Sequence, residues 1–410
     1  MSKSPKPGYV EWQTAQIKAA GAVKRKLTAK TKIKTHVVAA SKKSPEYLVQ
    51  SKKTGAVAAH KPSALKLGFA VKVLGAASLK SNDSRRWQQR PHLRVSVQYL
   101  DRIFDHLEAH DIRMYRMSSD LAPYVTHPEM PQFHRQIREC RSELRAIGRR
   151  ARKLGLRLSF HPSQFIVLNS PDPVLVQKSI ADLAAQSEML DRMELDAEAV
   201  VVVHAGGAYG DRASGCERWS ALYPTLPEPV RRRLVLENDD LRYSAADVLK
   251  IHDATGVPLI FDHQHFWCFN PEQLALRPTL LKFLQTWPGG VRPKIHFSSP
   301  RTEMRQLKRK DRRTGKRVLV LQPPVWTGHA DFVQPFEFIT MLRQFPDSDF
   351  DVMLEAKAKD LALVRLRRDL QRYALEIAAR FGLASAAKLP DEPAIIVVPA
   401  DEAVEIEPAG

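Results

Sequence analysis

The sequence contains no apolar run approaching the ~18–20 residues a membrane-spanning helix needs, which excludes a transmembrane segment. Its lysine-rich start has no apolar core segment, so no secretory signal is expected. Cysteine is scarce: Cys140, Cys216 and Cys268 are odd in number and far apart. They exclude a disulfide framework and point to a reducing compartment. No Gly-rich phosphate loop follows the first apolar run, which weakens the case for an open dinucleotide-binding sheet. Internal repeats are absent. Acids are in short supply, with 45 Asp and Glu against 64 Lys and Arg, for a formal charge of +19.

That charge is unevenly spread. Residues 1–66 carry 15 Lys/Arg and 2 acids, whereas residues 391–410 carry 6 acids and no Lys or Arg. The stretch 67–390 keeps a net +12. A body that stays basic without its basic start points to a polyanionic partner rather than to a solubility device. Residues 1–65 are rich in Lys, Ala, Thr and Ser without sustained apolar periodicity, and read as a disordered basic extension. Residues 384–410 read as an acidic tail. Residues 66–383 read as a single globular domain.

Within that domain, short apolar runs alternate with amphipathic stretches. The runs cover 67–73, 112–117, 156–161, 199–204, 234–238, 258–262, 294–298 and 351–355. Helical spacing shows in Leu100, Ile103, Phe104 and Leu107, and in Ile180, Leu183, Ser187 and Leu190. Asp172 before Pro173, and Asn270 before Pro271, are cap-then-proline pairs that mark helix starts. Eight strands alternating with helices predict an α/β fold, a closed (β/α)8 TIM barrel, with an open doubly wound sheet as the alternative.

Six of the runs end in a metal-ligand type of residue. These are His161 in SFHPSQF, His204 in VVVHAGG, Glu237 in LVLENDD, Asp262 in LIFDHQHF with His265 just beyond, His296 in PKIHFSSP, and Glu355 in DVMLEAKAKD. His329 follows in GHADFVQP. A barrel gathers the C-terminal ends of its strands on one rim, so these side chains would converge. Any one of them alone reads as a hydrogen-bonded rim residue or a helix cap; their recurrence on successive strands does not. Imidazole with carboxylate suits manganese, zinc or iron, and eight ligands imply two or three ions. Multinuclear sites are the usual device for phosphodiester hydrolysis. Lys294, two residues before His296, shares its side of the strand. A cation there would be repelled by metal ions, so its amine should be neutral or modified; a phosphate-binding lysine on the rim is the competing reading.

These motifs resemble the UV damage endonuclease family, on a barrel like those of endonuclease IV and xylose isomerase. The resemblance covers residues 66–382. It rests on LGFA at 67–70, RMSSDLAPY at 116–124, HPSQFIVLNSP at 161–171, HAGGAYGD at 204–211, LENDD at 236–240, FDHQHF at 261–266, KIHFSSPR at 294–301, HADF at 329–332 and LEAKAKD at 354–360. It implies an endonuclease that nicks damaged double-stranded DNA immediately 5′ of a lesion, leaving a 3′-hydroxyl and a 5′-phosphate. It further implies two or three divalent ions, manganese first, with zinc, cobalt or magnesium as alternatives. Glu237 would bridge ions. Asp262, His296 and Glu355 would complete one site with it, His161 and His204 a second, and His265 and His329 a third. Lys294 matches a lysine that can be carboxylated, and with Glu237 would serve the chemistry. Gln164 and Phe165 match the pair that probes the lesion. Phe69 and Phe165 stand where family members carry tyrosine, and Val73 where an asparagine occurs, which bears on lesion preference.

The stretch 301–317 holds nine Lys/Arg and two acids, with an Arg-Thr-Gly-Lys turn at 313–316. A basic hairpin there, between His296 and His329, would sit on the rim and bring Arg313 and Lys316 to a phosphate backbone; a solvated loop is the other reading. The rival functions are a sugar isomerase or epimerase of the xylose isomerase type, an abasic-site endonuclease of the endonuclease IV type, and a DNA-binding protein with a vestigial metal site. Neither a membrane nor an obligate protein partner is expected. The expected location is the cytoplasm, at the nucleoid, in a bacterium, or the nucleus in a eukaryote.

Overall fold

A computed structural model of the chain describes residues 64–383, apart from Ala77 and Gln164. All but the last two residues of the expected basic extension, and the whole acidic tail, lie outside the described residues.

Eight strands form one parallel sheet. They are β1 (Leu67–Ala70), β2 (Met114–Arg116), β3 (Arg157–Phe160), β4 (Val200–His204), β5 (Leu234–Glu237), β6 (Leu259–Ile260), β7 (Lys294–Phe297) and, after four further strands, β12 (Asp351–Leu354). The hydrogen-bonded order is β6-β5-β4-β3-β2-β1-β12-β7. Between β6 and β7 there is a single parallel bridge, Asp262 to His296, with the His296 amide donating to the Phe261 carbonyl at 2.9 Å. That bridge closes the sheet into a (β/α)8 barrel, as the alternation predicts. Each expected strand is present but trimmed by a residue or more. β1 stops at Ala70 because Val71 turns left-handed, φ 64°, in a tight turn in which the Lys72 amide reaches the Ala70 carbonyl at 2.9 Å.

The strands are buried on both faces, as parallel strands under helices must be. Alternate residues point into the barrel. On β4 that parity sets Val200, Val202 and His204 on one side. On β5 it sets Val235 and Glu237, and on β7 Lys294 and His296. Val200, Val202, Val235 and Ile260 pack with Trp287 in a small apolar cluster separate from the main core. The polar plug at the other end is Arg157, whose Nη1 lies 2.8 Å from Asp351 Oδ2 with both side chains buried. The barrel's interior thus rises from an ion pair through aliphatic side chains to the ligand-type residues at the strand ends.

The helix expected from Ile180 and Leu183 is Pro173–Arg192, and Asp172 caps it by accepting from the Val174 amide at 2.8 Å. The pair Asn270–Pro271 does not start a helix. Asn270 closes a turn instead, its Oδ1 accepting from the Leu274 amide and its Nδ2 donating to the Leu274 carbonyl, both at 2.9 Å. The helix begins at Leu276.

Between β7 and β12 the chain leaves the barrel. β8 (Pro300–Arg301) pairs antiparallel with β11 (Val325–His329), and β9 (Arg305–Lys310) with β10 (Arg317–Gln322). The basic stretch is therefore a hairpin. Arg313 and Lys316 lie in its tip, exposed to solvent, where Gly315 takes φ 70° and Asp311 accepts from the Arg313 amide at 2.9 Å.

Candidate metal centre

The strand ends bring the ligand-type residues to one mouth. His161 follows β3, His204 and Glu237 end β4 and β5, Asp262 follows β6, and Glu355 follows β12. His296 lies within β7, His329 ends β11, and His265 sits on the short helix His263–Cys268. Glu237 is at the centre and fully buried. Its Oε2 lies 3.0 Å from His161 Nε2 and 3.8 Å from His204 Nε2. Its Oε1 lies 2.8 Å from His296 Nδ1 and 3.6 Å from His265 Nδ1. Glu355 reaches His296 Nδ1 at 3.4 Å and His329 Nε2 at 3.5 Å.

Three overlapping triads have potential ligand atoms within 4.8 Å of one another: His161, Glu237 and His296; His204, Glu237 and His265; Asp262, His296 and Glu355. This grouping differs in part from the one the resemblance implies. Asp262, His296 and Glu355 stay together, and Glu237 is shared. His161 and His204 fall in separate triads, His265 joins His204, and His329 belongs to none of the three.

The donor set fits divalent ions. Among the described residues, Asp262 Oδ2, His296 Nε2 and His204 Nδ1 are buried without a hydrogen-bond partner, a costly state in the absence of a ligand. The other histidines are held in a ligating tautomer. His161 Nδ1 lies 3.1 Å from the Pro162 carbonyl and His265 Nδ1 3.0 Å from the Asn238 carbonyl. A carbonyl only accepts, so each Nδ1 carries a proton, and Nε2 is the atom that can ligate once any proton of its own is displaced. Ser298 donates to Gln264 Oε1 at 2.6 Å and must accept from His329 Nδ1 at 2.5 Å, which leaves His329 Nε2 free as well.

Burial alone would raise the Glu237 carboxyl. The His296 and His204 imidazoles and the hydrogen bonds from His161 and His296 outweigh it and hold the group well below its usual range. Glu355 is likewise held low against burial, by Arg116 and His296. Burial pushes Asp262 up to about 6 and His161 and His329 down to about 4. His265 behaves differently: burial disfavours its charge, but Asp262, Glu237 and Glu355 push it up to about 9. An ion arriving there competes with that proton.

Lys294 opens β7 rather than ending it and is 1% exposed, so it is not a rim lysine. Burial, with Arg157 and Arg116 nearby, holds its amine well below the usual range, and Nζ has no hydrogen-bond partner among the described residues. That direction favours the uncharged amine.

Above the cluster opens a cavity of about 490 Å³, lined by Phe165, His204, Asp239, Arg242, His265 and His329 among others. Phe165 is 77% exposed while its neighbours Ile166 and Leu168 are buried, so it belongs to the rim and not to the core. Gln164 lies outside the described residues. Phe69 requires correction: it is fully buried in β1, edge-on to Tyr115 at 5.4 Å, and offers no surface to DNA.

Three supporting residues escaped the sequence. Arg116, at the end of β2, is hydrogen-bonded to Glu355. Its run ends in a charged residue like the others, but arginine is not a ligand type. Asn238 exchanges hydrogen bonds with the Asp262 backbone at 2.9 and 3.1 Å. Ser298 orients His329. Both of these directly follow ligand-bearing strands, within motifs already singled out.

Comparison with known proteins agrees with this arrangement. A family model described as UV-endonuclease UvdE matches residues 70–382. A second, described as the TUDOR domain of hypervirulence-associated proteins, matches residues 9–65, outside the described residues. A UV DNA damage endonuclease of Bacillus velezensis is 34% identical over 66% of this chain and 78% of its own. One of Bacillus pumilus is 34% identical over 64% and 76%. The crystal structure of SacUVDE superposes with a TM-score of 0.61 at 24% identity, covering 75% of this chain and 98% of that one.

Proposed function

This chain belongs to the UV-endonuclease UvdE family, and from that membership we propose that it nicks damaged double-stranded DNA immediately 5′ of a lesion. The lesions would be ultraviolet photoproducts first, and the products a 3′-hydroxyl and a 5′-phosphate. The observation that carries the reading is the set of three ligand triads that share Glu237 and His296 beneath the exposed Phe165.

His161, His204, Glu237, Asp262, His265, His296 and Glu355 would hold two or three divalent ions, manganese first, with His329 completing the set through its free Nε2. Such ions neutralise phosphate charge and activate water. Glu237, common to two of the triads, would be the carboxylate that two ions share. Arg116 keeps Glu355 ionised and in place. Lys294 in its neutral form would combine with carbon dioxide and release a proton to give a carbamate, and that carboxylation would add an anion beside the ions. Phe165 presents a flat apolar face at the cavity rim, able to replace base stacking lost at a lesion. A sugar isomerase would leave that exposed ring without a use, and an abasic-site endonuclease differs only in lesion.

The test is cleavage of duplexes carrying one defined lesion each. Nicking should vanish in chelator and return with added manganese, and a photoproduct duplex should be cut faster than an abasic one. Full activity in excess chelator, with no metal retained by mass spectrometry, would sink the ion cluster. Ketose formation without nicking would sink the nuclease.

A further inference from the structure

The hairpin between β7 and β12 carries an inference about how the duplex is held. Its base is β8 with β11, where His329 pairs with Pro300, so the hairpin springs directly from a candidate ligand. Pro323 and Pro324 stiffen one leg between β10 and β11. Its outer part pairs Arg305–Lys310 with Arg317–Gln322 in unbroken register. Residues opposite each other share a face. One face bears Arg305, Leu307, Val320 and Gln322, which are half-buried, and Arg309 with Val318, which are exposed. The other bears Gln306, Lys308 and Lys310 opposite Leu321, Leu319 and Arg317, all exposed, with Leu319 and Leu321 at 66% and 60%.

The acids of the hairpin are already engaged. Glu303 pairs with Arg301 at 2.8 Å, and Asp311 accepts from the Arg313 amide and from Thr314. No acidic side chain pairs with Lys308, Arg309, Lys310, Arg312, Arg313 or Lys316 among the described residues. An exposed ribbon face bearing Lys308, Lys310 and aliphatic side chains matches the phosphates and sugar edges of a nucleic-acid groove, and a two-stranded ribbon is narrow enough to enter a major groove. Six residues per strand span roughly 20 Å, and a duplex rises about 3.4 Å per base pair, so the tip stands about six base pairs from the ribbon's base.

We propose that the β9–β10 ribbon is an arm that lies along intact duplex on one side of the lesion and grips phosphates over about six base pairs outward from the ribbon's base. The proposal rests on the endonuclease reading for its substrate. One ribbon reaches one way, so the contact is to a single flank.

The test compares wild type with a variant carrying Lys308→Gln, Lys310→Gln, Arg312→Gln and Arg313→Gln. Binding is measured against salt on three lesion duplexes: one with long flanks, and two with one flank or the other trimmed to about three base pairs, short of the reach estimated above. On the long duplex the variant's slope of log affinity against log salt should be shallower by about 0.9 for each phosphate the variant no longer neutralises. Trimming one particular flank should abolish the difference, and trimming the other should leave it. A Lys308→Arg, Lys310→Arg protein should keep the wild-type slope. Equal slopes on the long duplex, or the same difference whichever flank is trimmed, would overturn the arm. The positions are exposed, and an unchanged thermal midpoint confirms folding; a lowered one moves the comparison to the single substitution Lys308→Gln, for which the slope change of one phosphate is expected. Absence of nicking by wild type would instead refute the endonuclease reading, while the salt slope on an undamaged duplex would still report on the ribbon.

Discussion

Glu237 receives four imidazoles, from His161, His204, His265 and His296, at 2.8 to 3.8 Å. A neutral amide at that position would keep the shape and lose the charge that two ions share. Glu237→Gln should therefore lose nicking more completely than His265→Ala, with lower metal content by mass spectrometry; comparable residual rates would count against a shared carboxylate. Phe165 sits at the opposite extreme, almost wholly in solvent. Its removal costs little packing, so Phe165→Ala should cut lesion cleavage by about five- to 150-fold, since a base stack is worth about 1–3 kcal/mol. Metal content and thermal midpoint should stay as in wild type. A fall in stability would show the ring to be structural.

At the scale of the element, Gly148 runs against propensity. It lies inside the helix Arg141–Lys153, where glycine is worse than alanine by roughly 0.5–1 kcal/mol. A Cβ there would stand 1.9 Å from the Met193 carbonyl oxygen, at the end of the neighbouring helix. Gly148→Ala should lower the thermal midpoint, through overpacking of about 1–3 kcal/mol; a raised midpoint would show that the two helices can part. The elements themselves were legible in the sequence because each apolar run was short and each helix amphipathic. The candidate ligand residues stood out because a parallel barrel puts every strand end on one rim. What escaped notice was what periodicity does not encode. Phe69 was tied to lesion preference by the resemblance alone, which carries nothing about its burial in β1. Asn270 read as a cap because a turn that closes on Leu274 uses the same residue types. Arg116, Asn238 and Ser298 act on the ligands from positions whose side chains are too ordinary to stand out.

For the molecule as a whole, the first 66 residues carry 15 Lys/Arg against 2 acids. Deletion of residues 1–60 should leave nicking at saturating DNA intact and make the salt dependence of binding shallower, by about 0.9 for each phosphate this stretch neutralises. An unchanged slope would show that this stretch does not touch DNA.

The closure of the barrel has a wider meaning. β6 is two residues long, and it meets β7 through one bridge, Asp262 to His296. Those two side chains also belong to one candidate ligand triad. The seam of the shell and a candidate seat for an ion are thus the same place, and an ion there would fasten one edge of the sheet to the other like a clasp. Stripped of it, the protein would keep its layers and lose its hoop, and would loosen first along that one line. The reagent of the reaction would then also be the last stitch of the fold.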